Sequence, residues 1–309
     1  YKEIKSDNWH DTGNPFSLSR SRKIIGSSIE VLDKKDESIF FYDDFVVKFF
    51  YDKNININRV TRGKQLDGLV PEILDYTDNF YKYRKSIGNL FSKTVNVPSF
   101  IKFLEWSKNN LWIRGNVNGF KDICKKFYIE KTINRIKEYT KDIEDNPSII
   151  NGMSIPTAVE MLNIINKDWL CDGIPSKFHG DFILDNVIET NTGFCLIDWR
   201  QDFGGNLQFG DIYYDLAKLN HNLTINHSIV NNKLFKCNAD ECYIHINSKH
   251  KECSEVLYEF INKNGYDLNK VKVLTALIWI NMATLHEYPF NIFLFNFGKY
   301  NLYKNLNEL

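Results

Sequence analysis

The sequence predicts an α+β chain in two parts, a small antiparallel β lobe followed by a larger helical lobe. Two observations carry this. Between residues 20 and 84, β-branched and aromatic runs alternate with turn formers, which is the pattern of short antiparallel strands. After Gly88 the apolar positions recur every three to four residues in one segment after another, the period of helices laid on a core. A chain of 309 residues is long enough for two domains or one bilobal unit with a substantial core. It shows no internal repeat, low-complexity tract or flexible linker.

In order along the chain, KIIGSSIEVL, SIFFY and FVVKFF read as strands separated by the turn formers DKKDE and YDD. NINRVTRGKQL reads as a helix. VPEILDYTDNF reads as a strand, because Pro71 resists a helix and Ile73, Leu74 and Tyr76 favour a sheet. The first lobe ends near YKYRKS, which puts the lobes at 1–85 and 86–309. In PSFIKFLEWSKNNLW, residues Phe100, Phe103, Leu104, Ser107 and Leu111 fall on one helical face. YIEKTINRIKEYTKDI repeats the signal. IPTAVEMLNIINKDWL is read as one further helix with Pro156 in its first turn. DIYYDLAKLNH and several more helices complete the chain, among them the apolar VLTALIWINMATL, too short to span a membrane.

Between the helical runs lies FHGDFILDNVIETNTGFCLIDWR, residues 178–200. VIET and FCLID flank the turn signal NTG and should pair as a hairpin. That hairpin would return Asp198 to the neighbourhood of Asn186. An amide oxygen and a carboxylate placed so suit Mg²⁺, an oxygen-seeking ion that stays partly hydrated and bridges to nucleotide phosphates. Asp181 is then left to meet a substrate hydroxyl, as phosphoryl transfer requires.

His179, Asp181 and Asn186 resemble the HGDxxxxN catalytic loop of the aminoglycoside phosphotransferases and choline kinases, relatives of the protein kinases. Asp198 in LIDW is similar to that family's metal-binding aspartate, and GDIYYDLAKL (210–219) to its following GDPxxDLA helix. The match is tight over about 176–220 and extends as element order over about 20–300. The resemblance implies a two-lobed protein-kinase-like fold, with 1–85 as the nucleotide-binding lobe and 86–309 as the catalytic and substrate-binding lobe. It implies ATP and Mg²⁺ as cofactors and a small hydroxylated molecule as acceptor: a sugar, polyol, aminocyclitol or amino alcohol. Asp181 would orient or deprotonate the acceptor hydroxyl, Asn186 and Asp198 would hold Mg²⁺, and His179 would support the loop. Asp211 and Asp215 would brace it, the alternative being substrate contact.

Lys48 in FVVKFF stands where the family's strand lysine reaches the nucleotide phosphates; a surface lysine alternating out of an apolar strand is the other reading. Two turns compete to cover the phosphates, IGSSI (25–29) and DKKDES (33–38). The second is favoured, with Ser38 or a nearby backbone amide on the phosphates. YKYRKSIG (81–88) falls where adenine binds in that family. One departure is the helix after the strand lysine, which lacks the usual glutamate. Asp52, Asp67 and Glu72 are the nearby substitutes. A catalytically inactive kinase-like binding or scaffolding module is therefore the rival to a small-molecule kinase.

Beyond Asp198, Arg200 and Asp202 are candidate substrate residues. Arg200 either pairs with Asp202 or Asp211, or offers its planar fork to an anionic group on the acceptor. In CNADECYIHINSKHKEC (237–253), three cysteines and two histidines sit at spacings of no paired zinc knuckle. Reduced thiols are favoured over structural zinc.

The 39 basic and 39 acidic side chains cancel, leaving no global field for nucleic acid or an anionic membrane. With no signal-peptide order and few cysteines, the expectation is a cytoplasmic protein that does not insert into a membrane. Its start at Tyr1 leads to the expectation of an additional upstream domain in the full-length chain. The preferred pathway is the synthesis of surface-polysaccharide precursors.

Overall fold

The computed structural model describes residues 36–238 and 241–308. The fold is α+β, a small antiparallel sheet region followed by a helical part. The chain divides into two compact units: residues up to Val60 with Glu72–Lys85, and Thr61–Pro71 with the residues from Ser86 onwards.

The first unit holds β1 (Glu37–Phe41), β2 (Phe45–Phe50), the start of α1 (Lys53–Gln65), β3 (Ile73–Tyr76) and β4 (Phe80–Arg84). Its sheet is antiparallel in the order β1-β2-β4-β3. Alternation along FVVKFF turns Val46, Lys48 and Phe50 to the buried face. Asn56 of α1 donates to the Thr77 and Phe80 carbonyls at 2.8 and 3.2 Å, tying the helix to the β3–β4 turn. The guanidinium of Arg59 lies 4.9 Å from the Phe50 ring centroid. The IGSSI turn and the KIIGSSIEVL strand lie outside the described residues, as do positions 33–35 of the DKKDES turn.

The second unit opens with β5 (Asn89–Leu90), α2 (Phe91–Thr94) and α3 (Val97–Asn110). Asn96 and Ser99 form a reciprocal capping box at the start of α3, and Phe100, Phe103, Leu104 and Ser107 are buried on one face. Then come α4 (Phe120–Lys125), a π-helical turn over Lys126–Glu130, α5 (Lys131–Tyr139) and the hairpin β6 (Ser148–Ile150) with β7 (Met153–Ile155).

The single helix expected over 155–170 is two: α6 (Ala158–Ile164) and α7 (Lys167–Cys171). Pro156 precedes the cap instead of lying in the first turn, because Thr157 and Glu160 close a capping box around the helix start. Asn166 caps α7 by accepting from the Trp169 amide, and the extended Ile165 before it ends α6.

After β8 (Pro175–Ser176) come β9 (Val187–Thr190) and β10 (Gly193–Leu196), the expected hairpin, joined by β5 in the order β10-β9-β5. β11 (Gly210–Asp211) pairs with β8 and leads into α8 (Ile212–Thr224), whose N-cap is Asp211. α9 (His227–Asn231), the hairpin of β12 (Phe235–Cys237) and β13 (Cys242–Ile244), α10 (Ser248–Lys263), α11 (Leu268–Met282) and α12 (Phe290–Asn307) follow.

Helix α11 is the centre of the core. Thr275 Oγ1 accepts from Asn220 Nδ2 of α8 at 3.0 Å, and Trp279 Nε1 donates to His221 Nδ1 at 2.7 Å. Against α12 the approach is close enough that a Cβ on Gly298 would sit 2.7 Å from Ile280 Cγ1. Among the described residues no helix is long and apolar enough to cross a membrane, and no group of three His, Cys, Asp or Glu is placed to hold a metal ion. Cys237 and Cys242 face each other across β12 and β13 as free thiols.

Candidate active site

The 178–200 stretch is held from three sides, all within the second unit. Below it is α8, where Asp215 is fully buried. Its Oδ2 accepts from the His179 amide at 2.8 Å and from Trp112 Nε1 at 3.2 Å, and its Oδ1 from the Gly180 amide at 2.7 Å. Burial pushes its carboxyl up to about 6, with these three donors pulling the other way. Asp211 does the same for the preceding strand. It accepts from the Ile174 and Tyr213 amides at 2.9 and 3.1 Å and from the Tyr128 hydroxyl at 2.8 Å. Both aspartates therefore brace the loop.

From a second side comes Arg62, in the last turn of α1 and 1% exposed. It donates to the carbonyls of Phe178, His179 and Arg200 and, through Nε at 3.2 Å, to Leu207. One guanidinium thus binds the strand entering the loop to the segment leaving Asp198, its face 3.7 Å from the Phe178 ring centroid. Nothing in the sequence singled out this residue.

From the third side the hairpin returns. The Ile197 amide donates to the Asn186 carbonyl at 2.9 Å, and the Arg200 amide to the His179 carbonyl at 2.9 Å. Asp198 sits between them with φ of 57°, a left-handed conformation uncommon for a residue with a side chain and concentrated at functional sites. Gly180 is required where it stands. At φ of 85°, a Cβ there would lie 2.6 Å from Arg200 Cβ.

His179 is fully buried. Its Nε2–H donates to the Ile197 carbonyl at 2.9 Å, which leaves Nδ1 to accept from the Asp181 amide at 3.3 Å. Burial, outweighing the attraction of Asp181, pushes its pKa down to about 4. The imidazole is a neutral strut between the two arms of the loop. Its Cε1–H resonance is expected to hold still across the neutral pH range; a midpoint near the ordinary histidine value of about 6.5 would contradict this assignment.

Asp181 and Asn186 are joined directly. Asn186 Nδ2 donates to the Asp181 carbonyl at 2.9 Å and to Asp181 Oδ2 at 3.1 Å. The other carboxylate oxygen pairs with Lys218 Nζ of α8 at 2.7 Å. Burial pulls the Lys218 amine down, but Asp181 and Tyr214 together outweigh it and the net shift is upward. With its NH₂ spent on Asp181, Asn186 Oδ1 accepts no hydrogen bond from the described residues. The donor set offered by Asn186 and Asp198 is oxygen only, which fits Mg²⁺ and not a soft ion.

In the first unit, Lys48 is 2% exposed, so it is not a surface lysine; it stands opposite Ile39 and Tyr81. Ser38 lies within β1 opposite Phe49 and not in the turn where the sequence placed it, since pairing with β2 starts one residue earlier, at Glu37. Helix α1 carries no acidic residue. Glu72 pairs with Arg84 at 2.9 Å, and Asp52 Oδ1 accepts from the Asn54 amide. Arg200 does not form the ion pair that its acidic neighbours suggested. Asp202 Oδ1 is turned onto the Gly205 amide at 2.9 Å and Asp211 is spent under the loop.

No family model matches the sequence, and no curated protein matches it. Solved structures do. This architecture is the two-lobed protein-kinase-like fold found in small-molecule kinases. The chain is similar to a choline/ethanolamine kinase family protein from Mesorhizobium loti, at TM-score 0.54 and 13% identity, over 96% of this chain and 95% of that one. It is likewise similar to the ADP-bound aminoglycoside phosphotransferase APH(2'')-Ib, at TM-score 0.51 and 14% identity, over 94% and 95%. At such identities the likeness establishes the fold.

Proposed function

We propose that the protein is an ATP- and Mg²⁺-dependent phosphotransferase that moves the γ-phosphoryl group to a hydroxyl of a small acceptor: a sugar, polyol, aminocyclitol or amino alcohol. The observation that carries this reading is the loop, in which Asp181 is bonded to Asn186 and paired with Lys218 while the hairpin closes Asp198 against it. Asn186 and Asp198 are the residues that would hold Mg²⁺. Bound there, the ion neutralises charge on the phosphates.

Asp181 has one oxygen fixed by Lys218 and the other by Asn186, so its carboxylate is oriented. It accepts the acceptor's hydroxyl proton as the oxygen attacks, and no covalent enzyme intermediate is needed. Lys48 takes the nucleotide phosphates, with Ser38 or a nearby amide as a second contact. The proposed pathway, surface-polysaccharide precursor synthesis, rests on the resemblance of the motifs.

The test is a screen of hydroxylated metabolites for ATP consumption, followed by mass detection of the product. One acceptor class should stimulate ATP loss and gain a single phosphoryl group. Absence of nucleotide-dependent thermal stabilisation, with and without Mg²⁺, would instead fit an inactive scaffold on the same fold.

A further inference from the structure

Beside the loop the second unit gathers cations that phosphoryl transfer itself does not use. Lys131, the first residue of α5, places Nζ 4.3 Å from the ring centroid of Phe127, and Arg200 places Cζ 5.0 Å from the same centroid. The ring stands on the π-helical turn, whose wider winding is frequent at functional sites. Neither cation has an ion-pair partner among the described residues. Arg200 Nε is buried with no hydrogen-bond partner, an expensive position for a guanidinium N–H.

Two of the acids nearby are engaged elsewhere. Asp202 holds the Gly205 amide and Asp181 holds Lys218. The Lys131 amine is pushed well below the usual lysine range, by burial first and then by Arg200, Lys218 and Arg135, with Asp202 opposing. A cleft of about 280 Å³ opens on Lys131. It is lined also by Lys126, Glu130, Asn134, Arg135 and Glu138, the last paired with Arg135 at 3.0 Å.

We propose that Lys131 and Arg200, seated together on Phe127, form an oxyanion subsite for a carboxylate or phosphate group carried by the acceptor. This deepens the kinase reading and rests on it for the hydroxyl that Asp181 receives. A guanidinium with a free Nε–H offers the fork geometry of oxyanion recognition, and the lysine beside it adds a point charge when it takes up a proton as the oxyanion binds. Lys218 lies close enough to both to feel them and is bonded to Asp181, which places the subsite next to the proposed catalytic carboxylate. A polycationic acceptor would be repelled from the same position.

The test needs no turnover. A lysine amine of lowered basicity is acylated early near neutral pH, and peptide mass mapping of the full chain follows Lys131 directly. Inorganic phosphate and glycerate are the two oxyanion probes, with glycerol and chloride at matched ionic strength as controls. Phosphate or glycerate should slow acylation of Lys131 about tenfold, the effect of one charge-assisted hydrogen bond, and the stronger probe identifies the group. Arg200→Met should abolish that protection and Arg200→Lys retain part of it. Equal labelling under all four conditions, or equal protection by chloride, would overturn the subsite. Thermal stabilisation by Mg–ATP is measured on the same samples. Stabilisation without oxyanion protection defeats the subsite and leaves the kinase reading standing; protection without stabilisation does the reverse.

Discussion

Asp181→Asn is expected to lower kcat by about 10²–10⁴-fold, the usual worth of a positioned general base, while nucleotide affinity stays near that of the wild type. The substitution keeps size and shape, and its amide oxygen still has Asn186 Nδ2 within reach. It loses the negative charge that receives the hydroxyl proton and that pairs with Lys218 at 2.7 Å. Lys218, with side-chain exposure of 11%, is left largely buried and unpaired, so a modest loss of stability accompanies the loss of turnover. ADP release with the acceptor found by the metabolite screen measures the first effect, and equilibrium nucleotide titration the second. Retained kcat would remove Asp181 from the chemistry.

The largest structural effect is expected at Asp215. Asp215→Ala strands three buried donors, the amides of His179 and Gly180 and Trp112 Nε1. At about 1–3 kcal/mol for each unsatisfied group, the loss is on the order of 3–9 kcal/mol, read from the urea midpoint at constant slope. The pH dependence has a definite sign. Asp215 is raised to about 6, above its unfolded value of about 3.9, so its contribution is fully present below the unfolded value and declines as pH rises through about 6. His179, lowered to about 4, acts oppositely: its contribution is present above about 6.5 and is lost as pH falls through the folded value. Asp215→Asn removes the first trend and leaves the second, so the stability of that variant should rise more steeply with pH across the interval between them. An unchanged pH profile would contradict the burial of that carboxylate.

The site was legible where its residues are near in sequence and its geometry follows from a turn. NTG between two alternating runs fixes a hairpin, and the hairpin fixes the return of Asp198 toward Asn186. Asp211 is an N-cap by residue type and place. What stayed hidden is made by polar groups far apart in the chain. The buried face of α1 carries Asn56, Arg59 and Arg62, so no apolar period marks it, and its partners are backbone carbonyls, which no residue type advertises. The meeting of Lys131 with Arg200 on Phe127 depends on a π-helical turn that the three-to-four spacing of YIEKTINRIKEY does not reveal. The break at Asn166 was missed because apolar spacing continues through it while the cap interrupts the backbone.

The most direct measurement of the central proposal is an ATP titration of wild type and Asp198→Ala at saturating Mg²⁺, repeated after chelation. If Asn186 and Asp198 hold the ion that carries the nucleotide phosphates, wild type binds ATP tightly only with Mg²⁺. Asp198→Ala should then match the chelated wild type whether or not Mg²⁺ is present. Equal ATP affinity of the two proteins at saturating Mg²⁺ would contradict a metal–nucleotide site at this loop.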